Sequence, residues 1–220
     1  MCTVFYYLSR NPSAEARLAA EVRTTFSSGG AIRQGPALAG CRYLRAVIDE
    51  SLRISPPTPG VMWRERDPLS SPGGPLVVDG QVVPPGILVG VGLYSLMHNP
   101  EYFPEPFAFR PERWLDDGAA AGDKAAMRRA FVPFILRDRG CAGKAVAYLE
   151  MSLTVAKTLR YFDFRPAPGP AGELGIGRRG AESGRDRPDE YQLYDYFMAE
   201  HEGPNLVFSP RGKHWEELPE

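Results

Sequence analysis

At 220 residues the chain is long enough for one large domain or two small ones, and a hydrophobic share of 43% supports a sizeable core. Its formal net charge of −1 creates no global field for nucleic acid or another strongly charged partner. The three cysteines, Cys2, Cys41 and Cys141, are odd in number and widely spaced, which argues against a disulfide framework and for a reducing compartment.

The apolar run Val4 to Leu8 is ended by Ser9-Arg10-Asn11-Pro12, far short of a membrane span, so no anchor is expected in this chain and a cytoplasmic setting is. Residues before Asn11 read as the tail of a helix. Asn11 and Pro12 then suit the cap and first position of the next one, with Leu18, Val22 and Phe26 as its apolar stripe. From Cys41 to Ile54 the positions Leu44, Val47, Ile48, Ser51 and Leu52 follow the helical period, and Pro56-Pro57 ends the pattern. Cys41 has no metal-ligand partner at usable spacing and is expected to pack. Leu76-Val77-Val78 and Gln81-Val82-Val83 flank Asp79-Gly80, the signal of a type I′ hairpin, and a further strand is expected at Ile87-Leu88-Val89. His98, in Met97-His98-Asn99-Pro100, is expected to be a satisfied structural histidine. Asn99 to Trp114 is rich in proline and aromatics and should be irregular. Lys144 to Arg160 reads as a helix with Val146, Leu149, Leu153 and Ala156 on one face. Pro166 to Arg187, dense in glycine, proline and charge, reads as a long surface loop. Tyr191 to Met198 and Leu206 to Ser209 read as strands joined through Gly203-Pro204. The expected class is α+β, helix-rich, with small antiparallel sheets, in one domain over 1–220.

Three motifs carry chemistry. Glu50 and Arg53 lie three apart on one helix face. Phe109-Arg110-Pro111-Glu112-Arg113-Trp114 supplies a further arginine. Phe134-Ile135-Leu136-Arg137-Asp138-Arg139-Gly140-Cys141-Ala142-Gly143 places a lone thiol directly before a helix, where backbone N–H groups and the helix dipole favour a thiolate able to bind haem iron axially.

In this order the motifs resemble the cytochrome P-450 family of haem-thiolate monooxygenases, and Leu193-Tyr194-Asp195-Tyr196-Phe197 with Gly203-Pro204 resembles the last hairpin of fungal secondary-metabolism members. The resemblance implies the C-terminal part of the P-450 fold, with a Cys-ligand loop. Cys141 would be the axial ligand, Phe134 and Gly143 would border the porphyrin, and Arg139 and Arg64 would meet its propionates. Glu50, Arg53 and Arg113 would form a structural triad under it. Pro59, Gly60, Val61 and Met62 would touch a small organic substrate. Arg128, Arg129, Arg137 and Lys144 form a basic cluster that reads either as a solvated face or as the seat of a reductase fed by NADPH. Arg137 stands where the family usually has glycine. The long distal helix, with the family's oxygen-activating residues, is expected to lie before Met1, so no catalytic residue is assigned here. Full-length relatives are expected at the endoplasmic reticulum membrane. Three functions remain: a monooxygenase, a truncated non-catalytic haem-binding fragment or pseudoenzyme, and a cofactor-free interaction module.

Overall fold

The computed structural model describes residues 1–65, 75–115, 121–136, 139–181 and 184–218. Helices α1 (Cys2–Arg10), α2 (Pro12–Thr25), α4 (Arg42–Ile54) and α7 (Lys144–Tyr161) form the main body, with a short α3 (Pro36–Ala39) leading into α4. Val4, Leu18, Val22, Leu44, Val47, Ile48, Val155 and Leu159 meet at its centre, none more than 1% exposed. Each such aliphatic side chain contributes about 1.5–3 kcal/mol by leaving water, so α4, with three of them, is the fold's axis. Burial on α4 extends past its apolar stripe to Asp49, Glu50 and Arg53, so the helix has no solvent face over its second half.

Two local expectations about helices are corrected. Asn11 does not cap α2 with its side chain. Its Nδ2 instead donates to the carbonyl of Tyr7 at 2.8 Å, closing the end of α1, because the two helices abut and α1's last carbonyls need donors. On α7 the buried face is Tyr148, Met151, Val155, Ala156 and Leu159; of the expected stripe Ala156 is buried and Leu149 and Leu153 are half-buried against the core, while Val146 is exposed. The helix is turned from its hydropathy-based phase because Tyr148 and Arg160 bury with partners: the Tyr148 hydroxyl donates to Asp49 Oδ1 at 2.7 Å, and Arg160 Nη2 to Ser27 O at 2.6 Å. Besides the short α3, two helices escaped sequence reading. One is α5 (Leu93–Met97); the other is α6 (Ala121–Ala130), whose composition carries no strong apolar stripe.

Among the described residues the sheets are four antiparallel pairs. Strand β1 (Val61–Arg64) pairs with β4 (Val89–Gly92), and β2 (Leu76–Val78) with β3 (Gln81–Val83) across Asp79 (φ 49°) and Gly80 (φ 77°), the two positive φ values of a type I′ turn. Ile87 and Leu88 precede β4 rather than joining it, since Ile87 N–H closes a turn onto Pro84 O. At the C-terminal end the pairing also differs from expectation. Strand β6 (Leu193–Tyr196) folds back on β7 (Met198–His201) through Phe197, and β8 (Leu206–Pro210) pairs with β5 (Phe162–Pro166), not with β6. The register sets Phe164 opposite Phe208, and both rings pack edge-on against Phe5, at 5.4 and 6.1 Å between centroids, which fixes the choice of partner. Residues 99–110 hold no helix or strand, and a single 3-10 turn at Pro111–Trp114 follows them. The 166–187 stretch begins inside β5 and carries a 3-10 turn at Gly169–Glu173. It is anchored at Gly172, whose carbonyl accepts from Arg10 Nη2 at 2.8 Å.

Candidate functional site

Glu50 is fully buried and its carboxylate accepts five hydrogen bonds. Arg53 grips both oxygens, Nε to Oε2 at 3.0 Å and Nη2 to Oε1 at 2.8 Å, the fork-on-carboxylate geometry that arginine favours. Arg113 Nε reaches Oε1 at 3.1 Å, the Arg110 amide reaches Oε1 at 3.0 Å, and the Trp114 indole reaches Oε2 at 2.9 Å. The remaining guanidinium donors point at carbonyls of the irregular stretch: Arg53 at Met97, Pro106 and Ala108, and Arg113 at Pro104, Glu105 and Ala108. A segment without its own ladder thus has its backbone satisfied by two arginines, and one carboxylate neutralises part of their charge. Burial pulls the Arg113 pKa below its usual value, opposed by the attraction of Glu50.

The thiol loop is tied to the same body. Cys141 is exposed, and its N–H donates to Phe134 O at 2.8 Å. The Phe134 ring is buried against Tyr148 at 5.2 Å, and Tyr148 is hydrogen-bonded to Asp49 on α4. Ile135 has φ 58°, a left-handed conformation that a β-branched side chain adopts only when its surroundings impose it. Cys141, Phe134 and Ile135 line a cavity of about 390 Å³ with Leu52, Pro57, Thr58, Ala147, Glu150, Met151 and Met198. Sequence reading missed most of this wall. The signal was present on α7, where Ala147, Glu150 and Met151 recur at helical spacing.

Arg64 and Met62 line a second cavity, of about 360 Å³, that shares Ile135 with the first. Arg64 is exposed, with Nη1 on Trp63 O at 2.8 Å. Arg139 is exposed, and its side chain meets no partner among the described residues. Pro59 and Gly60 border neither cavity. Their carbonyls accept from Tyr94 and Leu93, and a Cβ on Gly60 would lie 2.6 Å from Asp195 Oδ2. Val61, like them, is absent from both linings, whereas Pro57 and Thr58 just upstream border Cys141. Arg137 lies outside the described residues. Arg128 and Lys144 line a broad basic cleft of about 530 Å³, to which α4 adds Arg42 and Arg45, two cations the sequence reading did not include.

His98 is 6% exposed and stacked between Tyr94 and Phe107, with Nδ1 2.8 Å from Tyr94 O. Contrary to the expected satisfied histidine, its buried Nε2 finds no hydrogen-bond partner among the described residues, and burial pushes its pKa down to about 4. Cys41 is buried at the start of α4, its Sγ against Ala37 O at 3.4 Å.

Comparison with known proteins places this geometry in a class. The family model described as Cytochrome P450 matches residues 1–174. The chain is 42% identical over 212 residues to cytochrome P450 monooxygenase AKT7 of Alternaria alternata, covering 94% of this chain and 40% of that protein. It is 41% identical to cytochrome P450 monooxygenase apf8 of Gibberella fujikuroi, covering 96% and 55%, and 38% identical to lcsN of Purpureocillium lilacinum, covering 97% and 60%. The chain belongs to the cytochrome P450 family. It spans between 36% and 60% of the length of the curated relatives it matches.

The family implies haem, and the residues present are compatible with it. Cys141 offers an exposed sulfur at the rim of a largely apolar cavity. A Cβ on Gly143 would meet nothing but Cys141 Sγ, at 3.7 Å, and the Gly143 φ of −79° demands no glycine. The folded chain itself therefore gives no reason for glycine there, whereas a flat group lying on the sulfur would. Among the described residues no helix is long and apolar enough to cross a membrane.

Proposed function

We propose that this chain carries the haem-thiolate part of a monooxygenase that inserts one oxygen atom into a small organic molecule of secondary metabolism. The observation that carries the reading is Cys141, an exposed thiol whose loop is tied through Phe134 and Tyr148 to the helix bearing Glu50 and Arg53. A thiolate-ligated haem, when bound, supplies oxygen reduction and insertion into substrate. The protein's part is to hold that group. Cys141 gives the sulfur, Phe134 and Gly143 give the surface around it, and Arg139 and Arg64 give cations for two propionates. Glu50, Arg53 and Arg113 lock the aromatic stretch so that the wall beneath the group does not relax. Met62, together with Pro57, Thr58 and Met198, forms the remaining set of candidates for substrate contact, since Pro59, Gly60 and Val61 border neither cavity. The cleft bearing Arg42, Arg45, Arg128 and Lys144, with Arg129 next to Arg128 on α6, suits an acidic electron donor, a reductase fed by NADPH. The reading extends to a longer protein at the endoplasmic reticulum membrane.

A second reading is haem binding without turnover by these 220 residues. Haem titration separates the readings stepwise. Saturable uptake by the wild type, weakened in Arg139→Gln and Arg64→Gln, is expected under both. NADPH-dependent product formation with a reductase is expected under the first alone. Absence of uptake would overturn both and favour a cofactor-free interaction module.

A further inference from the structure

A polar cleft of about 220 Å³ lies away from Cys141, between the turn residues 175–181 with Arg185 and strand β6. Arg178, Arg185, Gln192, Tyr194 and Glu202 supply its polar lining. We propose that this cleft is a binding site for a small anion, a phosphate or a short carboxylate, held between the guanidinium groups of Arg178 and Arg185.

Three observations converge on it. First, the turn sets the two arginines opposite each other, with Arg178 N–H donating to Arg185 O at 2.9 Å. Like charges facing each other across paired backbone destabilise the pair, and an anion between them reverses the sign. Second, both guanidinium groups are available. Among the described residues neither is within ion-pair distance of a carboxylate, in contrast to nearby Arg187, which pairs with Glu190 at 3.7 Å. The Arg185 guanidinium lies over the Tyr194 ring, 3.8 Å from its centroid, a cation–π contact that limits its freedom. Third, the frame is closely packed. A Cβ on Gly177 would lie 2.1 Å from Arg187 O, one on Gly175 would lie 2.6 Å from Glu202 O, and Gln192 N–H bonds Gly175 O at 2.9 Å.

The chemistry narrows the ligand. Gln192 Nε2 is committed to Glu190 O and Arg187 O, so the donors facing a ligand are the two arginines, which match planar or tetrahedral oxyanions. The volume is below the ~300–1,000 Å³ of sites for drug-sized molecules, which limits the occupant to a small ion. Glu202 opposes a highly charged one. The site sits at the base of the β6–β7 hairpin, whose residue Met198 lines the Cys141 cavity, so its occupant would bind a different end of the same element.

Isothermal titration of the full chain with inorganic phosphate, and separately with succinate, tests the proposal. Saturable binding of at least one of them is expected, weakened tenfold or more in Arg178→Gln and in Arg185→Gln. Glu202→Gln should bind severalfold tighter, a gain that misfolding cannot imitate. Arg165→Gln, on β5, should leave affinity unchanged. Phosphate binding without succinate binding assigns the site to phosphoryl groups, and the reverse assigns it to carboxylates; either supports an anion site. No saturable binding of either, or binding indifferent to both arginine substitutions and to Glu202→Gln, overturns it.

Discussion

Removing the Glu50 carboxylate should be the most damaging single change in this chain. In Glu50→Ala, Arg53 and Arg113, with side chains 0% and 7% exposed, lose the anion between them. Breaking a buried ion pair from one side costs about 3–5 kcal/mol, because the surviving charge stays buried. The Trp114 indole and the Arg110 amide also lose their acceptor, at about 1–3 kcal/mol for each donor left unsatisfied. These costs share one site and do not add fully, yet together they approach the ~5–15 kcal/mol that holds a whole domain folded. Glu50→Ala is therefore expected to be insoluble or unfolded. Glu50→Gln, which keeps the shape but not the charge, should lose about 3–5 kcal/mol. The control is Glu105→Gln, which breaks the Arg110–Glu105 pair, whose side chains are 48% and 66% exposed, and should cost less than about 1 kcal/mol. Urea unfolding followed by tryptophan fluorescence and far-UV circular dichroism measures all of them. If Glu50→Gln unfolds at the same urea concentration as Glu105→Gln, with an unchanged slope, the triad is not what secures the aromatic stretch.

Three further outcomes follow from the geometry. His98 has a folded pKa of about 4 against 6.5 unfolded, so the unfolded chain binds the extra proton between those values. Its contribution to stability is complete above about pH 6.5 and is lost as pH falls toward 4, by up to roughly 3 kcal/mol at about 1.36 kcal/mol per unit. Glu190 and Asp49, whose pKa values are raised chiefly by burial, act in the opposite sense over their own range, so the test is the difference in pH-stability slope between wild type and His98→Gln. Tyr148→Phe should lower stability by about 1–2 kcal/mol by removing the 2.7 Å bond to Asp49, read in the same urea titration. Gly143→Leu should change the melting of the haem-free chain little, since its Cβ meets only Cys141 Sγ, while weakening haem uptake tenfold or more.

The parts of this fold that were legible share a cause. The α4 stripe and the Asp79-Gly80 turn depend on neighbours in sequence, and Arg113 was connected to Glu50 and Arg53 only through the family resemblance. What escaped depends on partners distant in sequence. The α7 helix took its phase from Asp49 and Ser27, which receive Tyr148 and Arg160, rather than from Val146. Strand β8 chose β5 because Phe164, Phe208 and Phe5 cluster, and no local pattern at Leu206 to Ser209 announces that. Trp114 looked like one more aromatic in a proline-rich run, yet its indole completes the Glu50 site. The Cys141 wall was half visible: the loop could be read, but Pro57, Thr58 and Met198 reach it only through the folding of the chain.

The central claim is that Cys141 is the sulfur that holds a haem iron. Its direct test is the absorption spectrum of the haem-loaded chain, reduced and exposed to carbon monoxide, in wild type and in Cys141→Ser. The account predicts the strongly red-shifted band of a thiolate-ligated haem in the wild type and its loss in Cys141→Ser, with far-UV circular dichroism unchanged. The same band in both proteins, or its absence from a haem-loaded wild type, would contradict it.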